Sequence, residues 1–171
     1  ALPKVHALLN LSTAYMTSGD FAKGKLALDE ARPLLQKLKR SNYHFFYYNN
    51  LAFYYLCVNK LNSAQQALEN MKLAVQRMQN QEAYITFTDK QFVLQVLRGN
   101  YKGAQQAFQN AFYNAKQELA RVTFQYYLAL VFLGEGQNKE AEKALQYVVA
   151  NGKQTVYAKW AQDFLHKQIN N

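Results

Sequence analysis

Residues 11–31 read LSTAYMTSGDFAKGKLALDEA, and three later stretches are variants of the same sentence. They are LAFYYLCVNKLNSAQQALENM at 51–71, QFVLQVLRGNYKGAQQAFQNA at 91–111 and LALVFLGEGQNKEAEKALQYV at 128–148. Aligned, they place one small residue in a shared slot: Gly24, Ala64, Ala104 and Ala141, at steps of 40, 40 and 37. Self-similarity at such a period is the signature of stacked supersecondary units, each unable to bury its apolar face alone. The expected fold class is therefore an all-α solenoid, an α-α superhelix.

Each copy carries the same internal grammar. A first apolar-periodic stretch (5–17, 45–58, 85–97 and 122–133) has helical spacing. A turn follows at Gly19-Asp20, Asn59-Lys60, Gly99-Asn100 and Gly136-Gln137. Glycine or asparagine there suits the left-handed residue that closes a helix. A second helix then repeats apolar residues three and four apart: Phe21, Leu28 and Ala31; Leu61, Leu68 and Met71; Tyr101, Phe108 and Ala111. Two helices joined by a tight turn cross closely only where one side chain is nearly absent, which is the expected work of the small residue. Pro33 falls inside the second helix of the first copy and is expected to end or kink it near Arg32. After Gly152, residues 155–169 read as one more amphipathic helix that covers the end of the stack, with Trp160 in its core face.

Leu11-x3-Tyr15-x3-Gly19-Asp20-Phe21-x6-Leu28-x2-Ala31 resembles the tetratricopeptide repeat, as do Leu51-x3-Tyr55 with Leu61, Ala64 and Leu68. Gly99-Asn100-Tyr101-x2-Ala104-x3-Phe108-x2-Ala111 is similar to the second half of that motif, and Leu128-Ala129 with Gly136, Ala141 and Leu145 carries it a fourth time. The resemblance implies one domain over residues 1–171, with helix pairs at about 5–40, 45–80, 85–118 and 122–151 and a capping helix at 155–169. The period near 40 is longer than the family's usual 34. Gln91 and Gln95 replace an apolar pair in the third unit, and the usual unit-closing proline is missing. HEAT-type repeats have the right length but lack the Gly-x-aromatic-x2-Ala core.

Composition narrows the function classes. Half the residues are apolar and two are proline, which excludes a disordered linker. The single cysteine, Cys57, allows no internal disulfide and reads as a small buried residue. His6, His44 and His166 stand apart, with no partner at metal-ligand spacing, and neither a phosphate loop nor a nucleophile elbow appears. The expectation is no catalytic residue, no metal and no cofactor. Apolar runs are too short to span a bilayer. Because the chain starts at Ala1, it reads as a piece of a longer protein or a processed chain.

The net charge is +9, and residues 1–40 carry seven Lys/Arg against three acids. Phosphate binding along a nucleic acid would want that stripe continued over the neighbouring units, and it is poorly continued, so nucleic acid is not the expected partner. A basic end against an anionic membrane leaflet is compatible with a cytoplasmic chain tethered by a segment outside this sequence.

The resemblance implies that the first helix of each unit lines a concave groove. The implied groove set is His6, Leu9, Asn10, Thr13 and Thr17; Phe46, Asn49, Asn50, Phe53 and Cys57; Thr86, Asp89, Lys90, Val93 and Leu97; and Thr123, Tyr126, Tyr127 and Leu130. A carboxylate clamp of the kind some family members carry is met only at Asn50 and Lys90. What stands out is asparagine among aromatics, Tyr47-Tyr48-Asn49-Asn50 with Phe46 before and Phe53 after. An asparagine amide both donates and accepts, so it pairs with the backbone of an extended peptide whatever its sequence. The expected function is a non-catalytic protein- or peptide-binding scaffold, part of a larger bacterial protein. Its ligand candidates are Asn10, Thr13, Phe46, Asn49, Asn50, Phe53, Lys90, Val93, Tyr126 and Tyr127. Two alternatives stand beside it: the peptide-sensing domain of a transcriptional regulator, and a domain that self-associates as a homodimer or larger assembly.

Overall fold

The structure, a computed structural model, describes residues 2–169, with side chains through residue 167; Ala1 and the last two residues lie outside it. Among the described residues the fold is all-α, with nine helices. In chain order they are α1 (Leu2–Ser18), α2 (Phe21–Leu35), α3 (Ser41–Cys57), α4 (Leu61–Met78), α5 (Gln81–Leu97), α6 (Ala104–Asn114), α7 (Glu118–Gly134), α8 (Asn138–Asn151) and α9 (Val156–Ile169). Contacts group them into two units, Ala1–Leu97 and Arg98–Asn171.

The turns fall where the repeat alignment puts them. Gly19, Asn59, Gly99 and Gly136 all adopt the left-handed conformation, with φ of 94°, 56°, 80° and 76°. Three of these closures share one hydrogen-bond pattern. The N–H of Asp20 reaches the Tyr15 carbonyl, that of Lys60 the Tyr55 carbonyl and that of Gln137 the Phe132 carbonyl, each at 2.8 Å. The N–H groups of Gly19, Asn59 and Gly136 return to Met16, Leu56 and Leu133. This double closure satisfies carbonyls that a helix end leaves without partners.

In the first unit α1 pairs with α2 and α3 with α4, while α1, α3 and α5 also touch in succession. α2 packs on both α1 and α3, and α4 on both α3 and α5. Met16, Leu28, Leu68 and Met71 are fully buried in this unit, each worth roughly 1.5–3 kcal/mol of apolar burial. In the second unit α7 packs against α6, α8 and α9, and α8 against α9, around Phe108, Val131 and Leu145. The small-residue slot is buried in all four copies. At Gly24 a Cβ would run into Met16 Cγ and stand 3.2 Å from the Ser12 carbonyl oxygen, so α1 and α2 approach too closely there for even a methyl group.

Three local details differ in extent from expectation. α2 ends three residues beyond Arg32, at Leu35, with Pro33 inside its last turn. Proline in the last turn removes one hydrogen bond, and the short remainder persists because Ala31 and Leu35 are buried. Tyr101 precedes α6 instead of opening it, because Gly103 takes a left-handed φ of 75° as the helix N-cap. Its ring lies where a Cβ on Gly134 would fall, which docks the turn onto α7. The first helices start about four residues before their apolar periodicity, α5 for example at Gln81, where Asn80 Oδ1 accepts the Ala83 N–H at 2.9 Å. Gln91 and Gln95 lie within α5 without interrupting it.

Candidate functional site

Helices α1 and α3 lie side by side, and a cleft of about 280 Å³ opens between them, lined by His6, Leu9, Asn10, Thr13, Phe46, Asn49 and Asn50. On α1 those residues recur at three- and four-residue steps, as do Phe46, Asn49 and Asn50 on α3, so one face of each helix builds the wall. All seven belong to the groove set read from the sequence.

The cleft floor is a hydrogen-bond relay with a direction. Asn49 Nδ2 donates to Asn50 Oδ1 at 3.3 Å. Asn50 Nδ2 donates at 2.9 Å both to the Leu9 carbonyl oxygen and to Thr13 Oγ1. Thr13 Oγ1 in turn donates to the same Leu9 carbonyl at 3.1 Å. Asn50 is buried, and both protons of its amide are committed to α1. It therefore bolts α3 to α1 and does not offer its amide to a ligand, which corrects its place among the candidates.

The relay has one open end. Asn49 Oδ1 is shielded from solvent and has no hydrogen-bond partner. A buried carbonyl oxygen left unmatched costs about 1–3 kcal/mol, so its retention beside a cleft is a feature to explain. The rim is built differently. Asn10 Nδ2 donates to His6 Nε2 at 3.0 Å on the exposed face, and the Phe46 ring is 49% exposed, T-stacked on buried Phe45 at 5.3 Å between centroids. An exposed ring and an amide–imidazole pair thus share one opening, with the acceptor that lacks a partner shielded behind them.

Phe53 and Lys90 form a second locus along α3 and α5. Lys90 Nζ stands 5.6 Å from the Phe53 ring centroid, a cation–π distance. Burial lowers the Lys90 ammonium below its ordinary range, opposed by Cys57 and Asp89. Burial pushes the neighbouring Asp89 carboxyl up to about 6, with Lys90 pulling the other way. The half-buried Cys57 thiol is pushed up to about 12 by burial, which makes it a poor nucleophile at neutral pH. Val93 is buried and has no face to offer a ligand.

In the second unit, Tyr127 is buried and Tyr126 half-buried. Tyr126 packs 5.3 Å from Tyr157 and 5.5 Å from Trp160, while Tyr127 packs 6.1 Å from Phe108. Val93 and Tyr127 thus belong to the core, and Tyr126 to the packing of α9 on α7. Trp160 is half-buried and packs on Tyr126 and Tyr157.

Among the described residues, no group of three His, Cys, Asp or Glu side chains is placed to hold a metal ion. No helix among them is long and apolar enough to cross a membrane. No family model, curated protein or solved structure matches this chain.

Proposed function

We propose that the chain is a non-catalytic, tetratricopeptide-like module that holds an extended peptide in the α1–α3 cleft. The observation that carries this reading is Asn49 Oδ1, a buried acceptor without a partner at the end of a relay that is otherwise complete. An acceptor is completed by an N–H or O–H donor, and an extended peptide presents an N–H at every second residue on one side. The exposed Phe46 ring supplies an apolar contact for a side chain of that peptide. The cleft volume of about 280 Å³ suits one or two side chains rather than a folded partner.

Support for the repeat-family part of the reading comes from the sequential helix pairs, the recurring left-handed closures and the buried small-residue slot. Selection from a displayed library of unstructured peptides, followed by fluorescence anisotropy on a selected peptide, tests the proposal. Asn49→Ala and Phe46→Ala should each weaken binding about tenfold or more, with helical circular dichroism unchanged. If the wild-type chain selects no peptide, or if both variants bind like wild type, the cleft is not the site.

A further inference from the structure

From Ala31 to Leu68 the chain contains no Asp or Glu, while Arg32, Lys37, Lys39, Arg40 and Lys60 fall within it. Four of these five cations bracket the turn between α2 and α3. The two acids just upstream are already engaged. Both Asp29 oxygens accept from Lys25 Nζ, at 2.6 and 2.7 Å, and Glu30 pairs with Lys4 at 2.7 Å. Arg32 Nη2 stands 3.6 Å from Asp29 Oδ1, too far for a hydrogen bond. α3 opens without a side-chain cap and with no acid in its first turn, so its positive end adds to the same field.

Between α2 and α3 lies a cleft of about 250 Å³ lined by Arg32, Leu35, Gln36, His44, Tyr47, Tyr48 and Leu51, so Arg32 alone of these cations is in its lining. Its polar side is organised. Arg32 Nε donates to Tyr47 Oη at 3.1 Å, which holds the guanidinium plane at the cleft. Tyr47 is buried and uses its oxygen as the acceptor, so its own proton remains to be donated. The His44 ring is held by Nε2 donating to the Leu38 carbonyl at 2.8 Å. Leu35, Leu51 and the Tyr48 ring supply the apolar part of the lining.

We propose that this cleft binds a small organic oxyanion, a phosphate monoester or a carboxylate carrying one compact apolar group. The Arg32 fork matches two oxygens of such an anion. Tyr47 supplies a third donor, and the apolar part of the lining takes the apolar group. The volume sits just below the usual range for ligand sites, about 300–1,000 Å³, which limits the ligand to roughly one ring. The site is separate from the α1–α3 cleft, and neither proposal depends on the other.

Titration calorimetry with phenyl phosphate, benzoate and inorganic phosphate tests it, on the wild type and on Arg32→Gln, Tyr47→Phe and Lys143→Gln. Phenyl phosphate or benzoate should bind more tightly than inorganic phosphate, and which of the two leads identifies the head group. Arg32→Gln should weaken that binding about tenfold or more. Tyr47→Phe removes a donor to the anion and also the acceptor of Arg32 Nε, so it should weaken binding several-fold and lower the melting temperature by a few degrees. Lys143→Gln on α8 should leave binding as in wild type. The proposal is overturned if neither organic anion binds at millimolar concentration or if inorganic phosphate binds as well as both. An equal loss in Lys143→Gln, or binding to phosphatidylserine vesicles without binding to either soluble anion, also overturns it.

Discussion

Asn50 Nδ2 donates at 2.9 Å to the carbonyl oxygen of Leu9, 41 residues earlier in the chain. One amide thereby joins two repeats through backbone, not through side-chain packing alone. A hydrogen bond to a main-chain carbonyl is insensitive to which side chain Leu9 carries, so this contact fixes the height of α3 against α1. It also closes the inner wall of the cleft.

Removing that amide should loosen the first unit. Asn50→Ala is expected to cost about 1–3 kcal/mol, because Thr13 and Asn49 lose their partner in a buried setting. Thermal denaturation followed by circular dichroism should show a melting temperature lower by several degrees. A melting curve that superimposes on wild type would mean that the bond does not matter to the fold.

The adjacent asparagine should behave in the opposite way. Asn49→Ala removes a shielded acceptor without a partner but also the 3.3 Å donor of Asn50 Oδ1, so the two effects offset and the free chain should change stability by less than about 1 kcal/mol. Peptide binding should suffer instead. A pair of melts on Asn49→Ala and Asn50→Ala separates the two residues, and equal destabilisation would contradict the assignment.

Gly24 offers a test of close approach. Gly24→Ala gains about 1 kcal/mol of helix propensity but forces a methyl into Met16, at roughly 1–3 kcal/mol for overpacking. The single variant should be neutral or destabilised. In a Met16→Ala background the same change should become stabilising, and additivity across the double-mutant cycle would argue against the contact.

Asp89 should leave a signature in pH. Its carboxyl is held at about 6 in the folded chain against an ordinary 3.8. Between those values the folded state keeps a proton that the unfolded state has lost, so this group's contribution declines as pH rises from about 4 to 6. Denaturant titrations at pH 4 and pH 6.5 should show a smaller decline, or none, in Asp89→Asn. An unaltered pH profile in that variant would place the titration elsewhere.

Turn positions were the most legible part of the sequence, because a left-handed closure needs glycine or asparagine and these recur at Gly19, Asn59, Gly99 and Gly136. Helix starts were less legible. Ser41, Asn42, Gln81 and Glu82 are polar and exposed or half-exposed, so the first turns of α3 and α5 carry no apolar rhythm. Of the α1 and α3 positions read as groove-facing, seven line one cleft, while Thr17, Phe53 and Cys57 are not in its lining. The commitment of Asn50 to Leu9 was not legible, since it depends on a backbone atom in a distant helix and no side-chain pattern encodes it. Val93 and Tyr127 looked like groove positions because helical phase alone does not say how far a neighbour covers a face. The Arg32–Tyr47 cleft escaped notice although its trace, an acid-free run from Ala31 to Leu68, stands in the sequence.

Within each unit, the helix contacts among the described residues join elements adjacent in the chain or one removed. Such a contact map has short loops to close, and loop-closure entropy sets much of the barrier to folding. Every helix after the first in its unit finds partners among segments made just before it during synthesis. The first unit can therefore be built in the order in which it leaves the ribosome, without waiting for a distant stretch to complete it.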